Sequence, residues 1–401
     1  MNTNLKANIG YGLAFGMYFS TYCIIASFNS VYLLAHNYTN TEIGILIAVG
    51  NLVSVAMQPF LANLADRSKR LSVFQISIIV SILMMLFAVF TLVLHGRSVV
   101  LFVAYLILFA VHASLQPLLN SMDQTLAVRG VSVDYGICRS MGSLFYSGTS
   151  ALASMIVVRA GVGALPIVTE IGTVLMILGL LVLHTVYRGA VTDSADGSRQ
   201  ALKAAPDITM GEFISRHKLF LVLTVGVFLL YFDHQIINFF MLQIFRNVGG
   251  DASQMGMYYS IMTLLEIPTM VAFTWLTRRF STSFLLKLAT IGFVLRAVTM
   301  VLAGNTLLMM LTLAVHPIGF PLFLPTMVRY IDEIMDRREA VRGQSLYIIV
   351  VTISGVIASA TGGVILDRLG VSPLLWICVI TCVLGAALVL PLINRVREES
   401  K

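Results

Sequence analysis

Twelve apolar runs, each long enough to cross a bilayer as a helix, fill most of this 401-residue chain. A helix rises 1.5 Å per residue, so about 20 apolar residues cover about 30 Å of hydrocarbon. The runs lie near 9–35, 41–64, 72–95, 98–126, 136–160 and 163–188 in the first half. In the second half they lie near 218–246, 253–277, 283–303, 305–331, 343–367 and 371–394. Helices are required there because, in lipid, every backbone polar group must be satisfied within the chain. Composition agrees, with 58% hydrophobic and 11% charged residues, against about 25% charged in soluble domains. So little polar surface cannot coat a soluble fold. A soluble enzyme, a nucleic-acid-binding module and a disordered chain are excluded. The expected fold is an all-α membrane protein with twelve transmembrane helices. The first run exceeds the roughly 7–15 residues of a signal-peptide core and lacks a small-residue cleavage site, so it reads as the first span.

The longest polar stretch, Gly189 to Lys218, splits the runs six and six. The sequence therefore predicts an N-terminal six-helix bundle over 1–189, a cytoplasmic linker over 190–217 and a C-terminal bundle over 218–401. Within the linker, MGEFISRHK reads as a short amphipathic helix on the membrane surface. The halves echo one another. FLANLADRSKR, residues 60–70, and AFTWLTRRFST, residues 272–282, follow the second run of each half. YGICRSMGS, residues 135–143, and RGQSLYIIV, residues 342–350, open the fifth. Such repeats are common in secondary transporters, with the solute site between them. The net charge of +7 falls in short clusters between runs. With both termini on one side, that side holds 18 Lys and Arg and the other holds 4, which places both termini in the cytoplasm.

Ionisable residues inside spans carry the chemical information, because a charge at the bilayer centre costs about 2.5–3.5 kcal/mol on insertion scales. The candidates are Asp233, Glu266, Arg296 and His316 in the second half and Arg139 and Asp123 in the first. Glu266 reads either as a proton-handling carboxyl or as the static partner of Arg296. Arg296 cannot lose its proton in a protein and reads as a fixed counter-charge to Glu266 or Asp233. His316 lies in TLAVHPIGFPLFLP, where Pro317, Pro321 and Pro325 recur every four residues and Gly319 sits among them. That helix must be irregular, which is tolerated where it lines a cavity or is buried in protein. Asp233, Gln235 and Asn238 add polar groups among aromatics, and Asn120 and Asp123 read as further candidates for solute contact. His112, His234, Arg159 and Arg329 are weaker candidates. Cys23, Cys138, Cys378 and Cys382 sit in apolar runs without metal-ligand spacing and read as packing residues. No phosphate-binding G-x-x-x-x-G-K-[ST], H-E-x-x-H or G-x-S-x-G is present. Neither enzymatic activity, cofactor nor metal is expected.

The twelve runs in two halves, with the basic LANLADRSKR after the second, resemble the major facilitator superfamily. Asp66, Arg67, Lys69 and Arg70 match its loop, while Ala62 and Ser68 replace two glycines. The resemblance implies two pseudo-symmetric six-helix bundles that rock around a central cavity, and a latch role for Asp66 and Arg67. SVAMQPFLANLADRSKR, DYGICRSMGS and FDHQIINFF are similar to the lactose permease-like branch of oligosaccharide:proton symporters. On that resemblance Glu266, Arg296, His316 and Asp233 couple protons, and Arg139, Asn120, Asp123 and Asn238 contact solute. The chain departs from the branch in several places. Gly319 stands where the branch carries its protonated glutamate, and Leu313 and Gly355 where it has lysines. Asn120 replaces an acidic sugar ligand, Asp123 falls on another face of that helix, and no tryptophan precedes Arg139. LEIP at 265–268 is similar to sugar efflux transporters, and PLLN with YGxxRxxGS to permeases proposed for small aromatic acids. The implied activity is symport of a small polar solute, a sugar or organic acid, with protons, by a monomer in a bacterial inner membrane. An antiporter exporting sugars or drugs and a non-transporting receptor of the same fold remain open. Solute, protons and lipid are the expected partners, and nucleic acid is not.

Overall fold

The structure, a computed structural model, describes residues 2–68, 71–190 and 210–399. Among these, every regular element is helical. Twelve helices among the described residues are long and apolar enough to cross a membrane. Spans 1 to 6 are Thr3–Ser27, Asn40–Ala65, Val73–Val93, Val99–Ala127, Tyr135–Ala160 and Val162–Gly189. Spans 7 to 12 are Lys218–Phe239, Ala252–Arg279, Thr282–Leu302, Thr306–Ile334, Glu339–Leu369 and Val371–Glu399. Polar residues at the ends of the runs start the helices. Ser72 with Gln75, and Asp251 with Gln254, form reciprocal capping boxes on spans 3 and 8. Ser98, Asp134 and Ser281 accept N–H bonds at the starts of spans 4, 5 and 9.

The chain divides into two compact units. One comprises Met1–Tyr38 and Val49–Pro206, the other Thr39–Ala48 and Asp207–Lys401. The first turns of span 2 thus pack with the second unit. Within the first unit, span 1 packs on spans 5 and 6, and span 3 packs on spans 4 and 6. Within the second, span 7 packs on spans 11 and 12, and span 9 packs on spans 10 and 12. Adding six to each number of the first set gives the second, so the weak sequence echo corresponds to one packing scheme used twice. Both versions rest on a glycine pair. A Cβ on Gly179 would lie 2.8 Å from the Gly10 carbonyl oxygen, where spans 6 and 1 cross. A Cβ on Gly385 would lie 2.9 Å from the Gly226 carbonyl oxygen, where spans 12 and 7 cross. Small residues let helix backbones approach closely where lipid provides no hydrophobic driving force.

Three spans are irregular. Span 1 contains a π-turn, Cys23–Ser27, before a short helix over Asn29–Ala35. The Tyr105 hydroxyl donates to the Ile25 carbonyl inside that turn at 3.0 Å. Span 7 bends at Phe240 and continues as Met241–Asn247. Span 10 is broken, as its prolines require. It runs as a helix over Thr306–Leu311, two 3₁₀ turns over Thr312–Ala314 and His316–Ile318, and a second helix over Phe320–Ile334. Pro321 has no N–H to offer the Pro317 carbonyl, which instead accepts from Thr269 Oγ1 at 3.3 Å.

The segment read as a surface helix is helical over Met210–Arg216. Its Phe213 is fully buried in the core of the second unit. Arg216 and His217 both bond Glu339, at 3.3 and 2.9 Å. The piece is therefore anchored to protein through one ring and one carboxylate.

Candidate functional site

The second unit collects the charged residues of spans 7 to 10. Asp233 on span 7 and Arg296 on span 9 are 0% and 2% exposed. Arg296 is the cation that acts on Asp233, yet the two do not touch as an ion pair. Both Asp233 oxygens, and Arg296 Nε and Nη2, lack a hydrogen-bond partner of ordinary geometry. Arg296 Nη1 instead donates to His234 Nδ1 at 2.9 Å. The Asn238 amide, one turn further along span 7, lies 2.9 Å from His234 Nε2. The backbone carbonyl of Asn238 accepts from the Tyr259 hydroxyl at 2.6 Å. The His234 ring stacks on Phe320, with centroids 4.2 Å apart and planes 13° from parallel. The thiols of Cys378 and Cys382, one turn apart on span 12, face Asp233; thiols are weak donors.

Glu266 pairs with His316. The His316 Nε2 to Glu266 Oε1 distance is 3.1 Å, and the side chains are 0% and 14% exposed. Arg296 acts electrostatically on both His316 and His234, so the four candidates Asp233, Glu266, Arg296 and His316 form one network with His234 at its centre. Of the two partners the sequence left open for Arg296, Glu266 is bonded to His316 instead. The break in span 10 presents His316 to Glu266, while Arg296 is engaged by His234. Leu313 is buried, and at Gly355 a Cβ would lie 3.0 Å from Gln235 Nε2. At neither position is there a cation for Asp233.

The first unit gathers its own candidates. The Arg139 guanidinium lies 4.2 Å from the Phe19 ring centroid and 6.0 Å from that of Phe15, a cation–π arrangement. Asn120 accepts from the Tyr135 hydroxyl at 3.3 Å. Arg139 and Asp123 both act on Tyr135, and Asp123 also acts on Tyr11. Asn120 thus bonds Tyr135 directly, while Asp123, three residues on, acts on it only through its charge. Asp123 Oδ1 is buried without a partner. His112 is a satisfied core residue. Its Nε2 lies 3.1 Å from both Thr21 Oγ1 and the Tyr18 carbonyl, and its ring stacks on Tyr18. The side chains of Asp66, Arg67, Lys69 and Arg70 lie outside the described residues. Among the described residues, no group of three or more His, Cys, Asp or Glu side chains is arranged to hold a metal ion.

The sequence understates His234, which stands beside the more conspicuous Asp233, and Cys378 and Cys382, which lie in an apolar run. The available signal was spacing. Cys378 and Cys382 are four apart on span 12, and span 12 is the partner of span 7 in the repeat.

Twelve membrane-length helices in two units built to one packing scheme, with charges buried inside the spans, define a multi-pass membrane transporter. The chain belongs to the MFS_1 like family, which matches residues 11–377. The fold is similar to that of the nucleoside transporter NupG, at 16% identity and a TM-score of 0.74, over 98% of this chain and 99% of that one. It is similar to a peptide transporter POT, at 15% identity and a TM-score of 0.72, over 99% and 95%. It is also similar to a bacterial homolog of the human lysosomal transporter Spinster, at 15% identity and a TM-score of 0.69, over 100% and 97%. No curated protein matches the chain.

Proposed function

We propose that this chain is a proton-coupled symporter that moves a small polar solute, a sugar or small organic acid, by alternating access. The observation that carries this reading is the Glu266–His316 pair at the break in span 10, 3.1 Å long and in electrostatic reach of Arg296. A carboxyl inside the membrane is costly to bury when charged and cheaper when protonated. Proton and solute can then bias the same two-state equilibrium. In this reading Glu266 carries the proton, and His316 and Asp233 complete the coupling set. Arg296 remains charged throughout. Arg139, Asn120, Asp123 and Asn238 contact the solute, and Asp66 with Arg67 acts as a cytoplasmic latch. The distribution of basic residues supports cytoplasmic termini in a bacterial inner membrane. The linker over 190–217 joins the two six-helix bundles of a monomer. The set Asp233, Glu266, Arg296 and His316 supports kinship with the lactose permease-like branch. The absence of its lysines and of its span 10 glutamate argues for a different solute.

The test is external pH in lightly buffered vesicles that hold the purified protein. Sugars, organic acids, nucleosides and short peptides are added in turn. Alkalinisation on adding one class identifies symport and the cargo. Glu266→Gln abolishes that signal and uphill accumulation while leaving counterflow exchange. Accumulation that survives in Glu266→Gln sinks the assignment of the proton to Glu266, and acidification in place of alkalinisation identifies an antiporter.

A further inference from the structure

The geometry points to His234 as a positioning residue: we propose that it holds Arg296 off Asp233 and is locked as the neutral Nε2–H tautomer. The inference rests on the coupling role assigned above to Asp233 and Arg296. Arg296 has only N–H donors and cannot give up its charge. The 2.9 Å contact of its Nη1 with His234 Nδ1 therefore makes Nδ1 the acceptor. In a neutral imidazole the hydrogen then sits on Nε2. The Asn238 amide 2.9 Å from Nε2 must accept that hydrogen, so its Oδ1 is the atom turned towards the ring. The same orientation gives a donor to an oxygen that otherwise has none; the amide oxygen and nitrogen are distinguished only by this hydrogen-bond logic. The frame is rigid. The ring is pinned against Phe320, and the backbone of Asn238 is held by the Tyr259 hydroxyl.

The consequence lies in what Arg296 does not do. Two opposite charges in a low-dielectric interior attract strongly, and nothing but packing and hydrogen bonds keeps them from collapsing together. His234 ties one end of the guanidinium down, leaving Nε and Nη2 without a partner and Asp233 facing the weak thiol donors of Cys378 and Cys382. Asp233 is then stabilised by a nearby cation without being consumed by it. Its oxygens stay available to a proton.

The test uses nitrogen NMR of the full-length protein in lipid nanodiscs, with ¹⁵N-labelled histidine and arginine. The chain has seven histidines, and loss of a resonance in His234→Asn assigns the one in question. The expected spectrum shows Nδ1 unprotonated and Nε2 protonated. The Arg296 side-chain N–H signals exchange slowly with solvent. His234→Asn keeps an acceptor near the position of Nδ1 and leaves the Arg296 side-chain resonances and their slow exchange in place. His234→Leu frees the guanidinium to close onto Asp233, which shifts the Arg296 side-chain ¹⁵N resonances, and adding Asp233→Asn to that variant removes the new partner and speeds exchange at least tenfold. An Nδ1–H tautomer, a doubly protonated ring, or unshifted Arg296 resonances in His234→Leu overturns the proposal. If His234→Leu fails to fold, the tautomer of the wild-type ring and the His234→Asn exchange rates decide the question. Neither readout needs a transported solute, so these results stand or fall separately from Glu266→Gln.

Discussion

Asp233 and Arg296 are opposite charges buried in spans 7 and 9 of the second unit, and a double-mutant cycle makes their coupling measurable. Asp233→Asn leaves a buried, permanent cation without its counter-charge. Breaking a buried pair in this way costs about 3–5 kcal/mol. The bond from Arg296 to His234 survives and holds the loss near the lower figure. Arg296→Gln leaves a buried carboxylate without its counter-charge, at a cost of the same order. The double variant Asp233→Asn/Arg296→Gln buries two neutral amides and should recover all but about 1–2 kcal/mol. Unfolding in mixed detergent micelles at pH 7, followed by the fluorescence of Trp275 and Trp376, supplies the four free energies. The expected pattern is a loss for each single variant and a double variant better than either. Additive losses would show that the two charges do not sense each other.

Other substitutions test the surrounding frame. The Tyr231 and Tyr347 hydroxyls bond each other at 2.5 Å in the core of the second unit. Either single Tyr→Phe variant should lose about 1–3 kcal/mol, and the double variant should regain most of it, because no orphaned hydroxyl remains; equal losses in all three would refute this. Phe213→Ala removes a fully buried ring and should cost about 3–5 kcal/mol by the same unfolding assay, whereas a surface-lying helix would lose almost nothing. Gly226→Val and Gly179→Val should each lower the thermal midpoint sharply, because the added carbon meets backbone or a neighbouring side chain under 3 Å away; tolerance of both would remove the glycine crossings from the account of the fold.

The span pattern was legible because each crossing needs a long apolar run and leaves polar caps at its ends. Ser72, Ser98, Asp134, Asp251 and Ser281 stand at the starts of their helices in the sequence as in the structure. The break in span 10 was legible too, because Pro317, Pro321 and Gly319 forbid a continuous helix. Span 1 gave no such sign. Its π-turn contains no proline or glycine, and its Ile25 carbonyl is satisfied by Tyr105 from span 4, a partner 80 residues away. The passage of Thr39–Ala48 into the second unit leaves no sign in the sequence either, since no proline interrupts the run at Ala48. The charged candidates stood out because charge inside a span is expensive. Their pairing did not, because pairing depends on where three helices and one unwound segment place side-chain ends. Thus Glu266 meets His316, and Arg296 meets a histidine that a charge-based reading ranked low.

The repeat sharpens the assignment of roles. Both units use the same helix pairs and the same first-to-last glycine crossing, so the packing frame by itself distinguishes nothing. The side chains hung on that frame do. In the second unit Asp233, His234, Arg296 and His316 are withdrawn from solvent, with Arg296 bonded to His234 and His316 to Glu266. In the first unit Asn120 and Tyr135 are exposed, and Arg139 presents its guanidinium beside the Phe19 ring. A buried network of fixed and titratable charges suits storage of a proton, whereas exposed polar groups flanked by aromatic rings suit contact with a solute. If the duplicated frame has divided labour in this way, substitutions at Asn120 and Asp123 should change which solute alkalinises the vesicles while leaving proton coupling intact. Substitutions at Glu266 and Asp233 should do the reverse. A variant of the first unit that uncouples transport without altering solute preference would contradict that division.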